Sequence, residues 1–125
     1  RQISADAAPR PANMYGVSKS YGEAACAYHA GTGGISCVAL RIGAFEPPGS
    51  QEIATRRDLS AWLSPRDGVH LLTRAIEAEL AGFFLGYGIS DNRFKRFDLT
   101  ETRRVLGYAP RDDAFRSFDM ANVSD

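Results

Sequence analysis

Tyr15 and Lys19 are the residues of this chain whose types and spacing could carry chemistry. They stand four positions apart in Tyr15-Gly16-Val17-Ser18-Lys19. That is about one turn of a helix, so both side chains would leave the same face. A phenol with a pKa near 10 is a poor base at neutral pH. An ammonium held beside it favours the phenolate and brings proton transfer within reach of working pH. Lysine is scarce here: of 15 Lys and Arg residues only Lys19 and Lys95 are lysines, which gives Lys19 more weight.

This pairing requires a helix, and the surrounding residues are compatible with one. Residues 1–13, with Pro9 and Pro11 and no periodicity, read as a loop. Residues 14–29 form a small-residue-rich, helix-compatible stretch that Gly31, Gly33 and Gly34 stop. Residues 35–42 read as a buried strand ending at Gly43, and residues 43–56, with Pro47-Pro48-Gly49, as a loop. Ser64-Pro65-Arg66-Asp67 opens a second helix, with serine as cap, proline in the first position and an acid three residues after the cap. That helix places Val69, Leu72, Ile76 and Leu80 on one stripe and ends near Gly82. A strand follows over residues 83–89. Asp98-Leu99-Thr100-Glu101 is a capping-box pattern for a short helix ending at Leu106-Gly107-Tyr108. Residues 110–125 read as a short helix that frays.

The order helix, strand, helix, strand, helix implies an α/β layer arrangement. Two strands alone make a marginal sheet, so the intact fold is expected to use strands outside these residues. The opening Arg1-Gln2-Ile3-Ser4, without methionine, reads the same way, as a cut inside a longer protein.

Length and composition narrow the classes. With 125 residues the chain has room for one modest domain. A net charge of zero gives no electrostatic reason to expect nucleic acid or an anionic membrane. No apolar run reaches the roughly 18 residues of a membrane-spanning helix. Cys26 and Cys37 match neither a disulfide framework nor a zinc spacing, so no metal is expected, and a cytoplasmic setting with reduced thiols is the default. The thiols, Trp62 and the Phe83-Phe84 pair read as core, and His29 and His70 as structural. Asp112 and Asp113 read as an exposed helix start.

Beyond the bare spacing, MYGVSKSYGE followed by VALRIGAFEPP resembles the extended short-chain dehydrogenase/reductase family, also called the NAD-dependent epimerase/dehydratase family. There the helix typically carries Y-G-x-S-K-x-x-x-E, and the next strand ends in R-x-G/N before a proline loop. The segment from Arg57 to Asp67 resembles the R-x-x-S-x-W-x-S-x-x-D block of the uronate dehydrogenase-like branch. GISDNRFKRFDLTETRRVLGYAPRDDAF is similar to the C-terminal end of that branch. The resemblance covers residues 1 to about 118.

This resemblance implies the C-terminal part of a Rossmann-like, doubly wound parallel sheet, lacking the N-terminal dinucleotide-binding half. Residues of about 43–65 and 90–125 would form a small substrate region. Tyr15 would be the general acid/base and Lys19 its ribose-binding partner, with NAD or NADP as cofactor. Ile42 would end the strand that runs along the nicotinamide ring. Arg57 falls where a sugar carboxylate is bound, a task that suits a planar guanidinium, although Arg56 beside it leaves the choice open. Ala44 stands where the branch usually has a ligand-contacting serine. The family's Gly-rich pyrophosphate fingerprint is not in this sequence, and its catalytic Ser/Thr would lie upstream; Ser4 does not fill that role. The expected activity is oxidation of a sugar or sugar acid, a uronate among them, in a homodimer joined through the Tyr15/Lys19 helix. Two alternatives stay open: a nucleotide-sugar epimerase or dehydratase, and a truncated binding or dimerisation module.

Overall fold

The computed structural model describes residues 2–125. The long helix α1 (Met14–Thr32) begins because Asn13, in an extended conformation, accepts the Gly16 N–H on its side chain at 2.8 Å. It closes on Gly33, whose N–H returns to the His29 carbonyl, and Gly34 follows at φ +67°. Strand β1 (Cys37–Ile42) then runs parallel to β4 (Phe83–Gly88), in a register that pairs Cys37 with Phe83 and Ile42 with Gly88.

At Gly43 the chain changes partner. Its N–H still bonds the Gly88 carbonyl, but the next N–H, of Ala44, bonds the Ala61 carbonyl. This starts a second parallel pair, β2 (Ala44–Phe45) with β3 (Trp62–Leu63). A Cβ on residue 43 would lie 1.8 Å from the Ala61 oxygen, so only glycine lets the two backbones approach this closely. The proline loop therefore contains a short strand that the sequence pattern did not show. It also leads into the small helix α2 (Arg56–Ser60), opened by a reciprocal Thr55/Asp58 capping box.

Helix α3 (Pro65–Glu77) starts where its sequence signals put it, with the Ser64 hydroxyl accepting the Asp67 N–H. It ends five residues before Gly82, leaving Leu80 in the following loop. Which face turns inward differs from expectation. Asp67, Gly68 and Leu71 pack inward, while Val69, Leu72 and Ile76 are 66%, 57% and 85% exposed. The stripe is real, but among the described residues nothing covers it; the close packing of Leu71 against β4 sets the rotation of the helix.

Helix α4 (Thr100–Leu106) ends on Gly107 at φ +69°. Its start is simpler than a capping box: the Asp98 carboxylate takes the Thr100 N–H and hydroxyl, and Leu99 holds the cap position without a side-chain bond. The tail is hydrogen-bonded back to the start of α2. Helix α5 (Ala114–Ser117) and a 3-10 turn (Met120–Asn122) are pinned by the Ser124 N–H to the Ala54 carbonyl and the Arg56 N–H to the Ser124 carbonyl.

Two apolar clusters hold these parts. One joins Leu71, Phe84, Tyr87, Ile89, Leu99, Leu106 and Tyr108 around β4; the other joins Ile53, Leu59, Trp62, Ala114 and Phe118. Neither includes α1, which buries no residue fully. β1, expected to be buried, is half-buried, and Ile42 is 53% exposed. The reason is that β1 is hydrogen-bonded along one edge only.

Candidate functional site

Capped at Asn13, α1 presents Tyr15 in its first turn and Lys19 one turn later. The Lys19 ammonium lies 5.2 Å from the centre of the Tyr15 ring, within cation–π range. Both side chains are exposed, Tyr15 by 71%. They form one wall of a cleft of about 470 Å³, whose other wall is the strand from Ala39 to Ile42. Tyr15, Lys19 and Ile42, singled out separately from the sequence, thus meet in one place.

A third helical residue, Glu23, continues the face and closes the end of the cleft. Its carboxylate accepts two hydrogen bonds from Arg41 of β1, from Nε at 2.7 Å and Nη2 at 2.9 Å. These bonds hold the Glu23 carboxyl below the usual carboxylate range, against the opposing effect of partial burial. Arg41 Nη1 also donates to the Tyr87 hydroxyl and the Ala7 carbonyl, each at 3.4 Å. Sequence reasoning assigned neither residue a role. A signal was there: a lone arginine inside the apolar run Val38-Ala39-Leu40-Arg41-Ile42 needs a partner, and an acid two turns after Tyr15 supplies one.

Arg57 is not part of this cleft. It sits exposed in the first turn of α2, and among the described residues its side chain makes no ion pair or hydrogen bond. Arg56, the competing candidate, pairs with Asp125 at 3.0 Å. The rest of that sequence block is architectural. Trp62 is fully buried and donates its indole N–H to the Glu46 carbonyl at 2.8 Å. Ser64 caps α3, and its hydroxyl donates to Asp112. The buried Asp67 carboxylate accepts the backbone N–H groups of Arg111 and Asp112.

Asp113 does open a helix, as expected, but neither it nor Asp112 is exposed. Burial opposes ionisation of Asp112, but the Ser64 hydroxyl and Arg66 outweigh it and bring its carboxyl below the usual range. Asp113 caps α5 and also accepts the Arg93 N–H at 2.9 Å. Phe84 and Trp62 are core as expected, whereas Phe83 is 36% exposed. His70 accepts the Ala109 N–H on Nε2 and stacks on Tyr108, a structural role. Cys26 and Cys37 are free thiols, and among the described residues no group of three or more His, Cys, Asp or Glu could hold a metal ion. No helix among them is long and apolar enough to cross a membrane.

Parallel strands joined by helices, with a Tyr/Lys pair beside an open strand edge, define the C-terminal part of a Rossmann-like α/β sheet. No family model matches the chain. Individual proteins do. It is 43% identical over 105 residues to the NAD-dependent glucose-6-phosphate dehydrogenase of Haloferax volcanii, covering 82% of this chain and 38% of that protein. It is 39% identical over 108 residues to the uronate dehydrogenase of Pseudomonas syringae pv. tomato, covering 86% and 38%. Among solved structures, a variant of Agrobacterium tumefaciens uronate dehydrogenase complexed with NAD superimposes with a TM-score of 0.80 at 28% identity, over 92% of this chain and 42% of that one. The chain belongs to the uronate dehydrogenase-like family. It spans about two fifths of the length of the relatives it matches.

Proposed function

We propose that the full-length protein is an NAD(P)-dependent oxidoreductase that oxidises a sugar or sugar acid at C1, with a uronate as the first candidate. The observation that carries this reading is the meeting of Tyr15 and Lys19 with the Ile42 end of β1 in one cleft. The names of the relatives, sugar and sugar-acid dehydrogenases, point the same way.

The donor set suits the nicotinamide–ribose end of a dinucleotide. An ammonium and a phenol offer hydrogen bonds to ribose hydroxyls, and the exposed Ile42 side chain offers an apolar wall for a flat ring. Nothing in this sequence has the glycine pattern of a pyrophosphate cradle. When bound, the cofactor supplies the hydride acceptor. Tyr15, as phenolate, takes the proton from the sugar O1 hydroxyl as C1 gives up its hydride and becomes a carbonyl carbon. Lys19 favours that phenolate and holds the ribose. Arg57 binds the sugar carboxylate through paired guanidinium bonds.

In this reading, residues of about 43–65 and 90–125 form the substrate region around the sheet. The 125 residues alone do not turn over substrate, because the pyrophosphate cradle and the catalytic Ser/Thr come from elsewhere in the protein. Met14, Val17, Tyr21 and Tyr28, all exposed on α1, supply an apolar surface for a second subunit. Cys26 and Cys37 as free thiols suit a cytoplasmic protein.

The test is NADH formation by the full-length protein with glucuronate or galacturonate. Turnover of a nucleotide-linked sugar, with no NADH formed from either uronate, overturns the assignment. Tyr15→Phe is expected to lose nearly all activity, and full retention removes the proposed base.

A further inference from the structure

Helix α1 carries the proposed catalytic pair and rests on the sheet without a fully buried side chain. Both of its reactive side chains are exposed on the wall of the cleft that faces β1. Among the described residues, a single side-chain polar link joins it to the sheet: the two-pronged contact of Glu23 with Arg41. Arg41 is in turn held at several points. It is paired in register with Tyr87 of β4, it donates to the Tyr87 hydroxyl and the Ala7 carbonyl, and its guanidinium lies 5.8 Å from the Tyr87 ring centre. One guanidinium thus ties together the loop before α1, α1 itself, β1 and β4.

Spacing gives the link a consequence for the site. Tyr15, Lys19 and Glu23 are successive fourth residues, so they follow one face over about 12 Å of helix. A planar fork gripping Glu23 opposes both rolling of α1 about its axis and sliding along it, which a single hydrogen bond would not. Displacements of about 1 Å at a reacting group cost on the order of 100-fold in rate.

We infer that Glu23 and Arg41 are positioning residues for Tyr15 and Lys19: the pair sets the rotation of α1 against β1 and so the placement of the phenol and ammonium in the cleft. This rests on the oxidoreductase reading above. It adds a requirement that the Tyr/Lys spacing alone does not contain, since a helix with both residues but a free roll would present them wrongly.

The full-length protein is assayed with NAD and a uronate in four forms: wild type, Glu23→Ala, Glu23→Gln and Tyr15→Phe. Glu23→Ala is expected to lower kcat by about 10–100-fold with a smaller change in the sugar KM. Glu23→Gln, which keeps the length and one acceptor for Arg41, is expected to recover part of that kcat. An inactive Tyr15→Phe beside a Glu23→Ala protein with wild-type kcat overturns the positioning role alone. So does a loss in Glu23→Ala that matches the fraction of unfolded protein, seen by circular dichroism. Full activity in Tyr15→Phe, or no turnover by wild type, overturns the catalytic reading and the positioning role with it.

Discussion

The Asp67 carboxylate in the first turn of α3 holds the backbone of Arg111, 44 residues later, through an N–H bond of 2.8 Å, and takes the next N–H, of Asp112, at 3.0 Å. Asp67 is 1% exposed, so these bonds are shielded from water and fasten the C-terminal segment onto α3. Asp67→Ala leaves two backbone donors without a partner in a shielded place. The expected loss is roughly 3 kcal/mol of unfolding free energy, read as a lower urea midpoint at unchanged slope. Asp67→Asn, with one acceptor oxygen left, should lose less. A midpoint within error of wild type for Asp67→Ala would show that the segment is held by other contacts.

The two neighbouring arginines of α2 should separate cleanly in a kinetic assay. Arg56 is engaged with Asp125, whereas Arg57 is exposed and free to meet a ligand among the described residues. Arg57→Ala in the full-length protein is expected to raise KM for a uronate about 10–100-fold, the value of a charge-assisted bidentate contact, with a smaller effect on kcat. Arg56→Ala should leave KM within about 2-fold of wild type. The reverse ranking would move carboxylate recognition to Arg56.

Acid should loosen α1 through Glu23. Arg41 holds the Glu23 carboxyl below its ordinary value of 4.5, so the folded state binds this proton less readily than the unfolded chain. The contribution is complete above about pH 4.5 and is lost as pH falls through the lower, folded value. Urea midpoints measured from about pH 6 to pH 3 should therefore draw closer for wild type and Glu23→Gln as pH falls, after wild type leads at pH 6. A constant gap between the two across the range would show that the Glu23 charge contributes nothing.

How much of this was legible in advance follows the range of the interactions involved. The start of α1 after residue 13, the start of α3 at Ser64 and the αL stop at Gly107 each depend on bonds within four residues. The Tyr15/Lys19 spacing belongs to the same class, because one helical turn brings the two together whatever surrounds them. Sequence alone also indicated an incomplete sheet, since two strand-like runs cannot bury both of their faces.

Tertiary structure decided the rest. Arg41 meets Glu23 across 18 residues and Asp67 meets Arg111 across 44, contacts that exist only once β1 and β4 have paired and α3 has docked. The inward face of α3 was likewise not readable from its apolar stripe, because packing of Leu71 against β4 outweighs the pattern and turns Val69, Leu72 and Ile76 outward. Local residues could thus place the phenol and the ammonium on one helical face. Which way that face points depends on how α1 docks on the sheet, where Arg41 grips Glu23 across 18 residues.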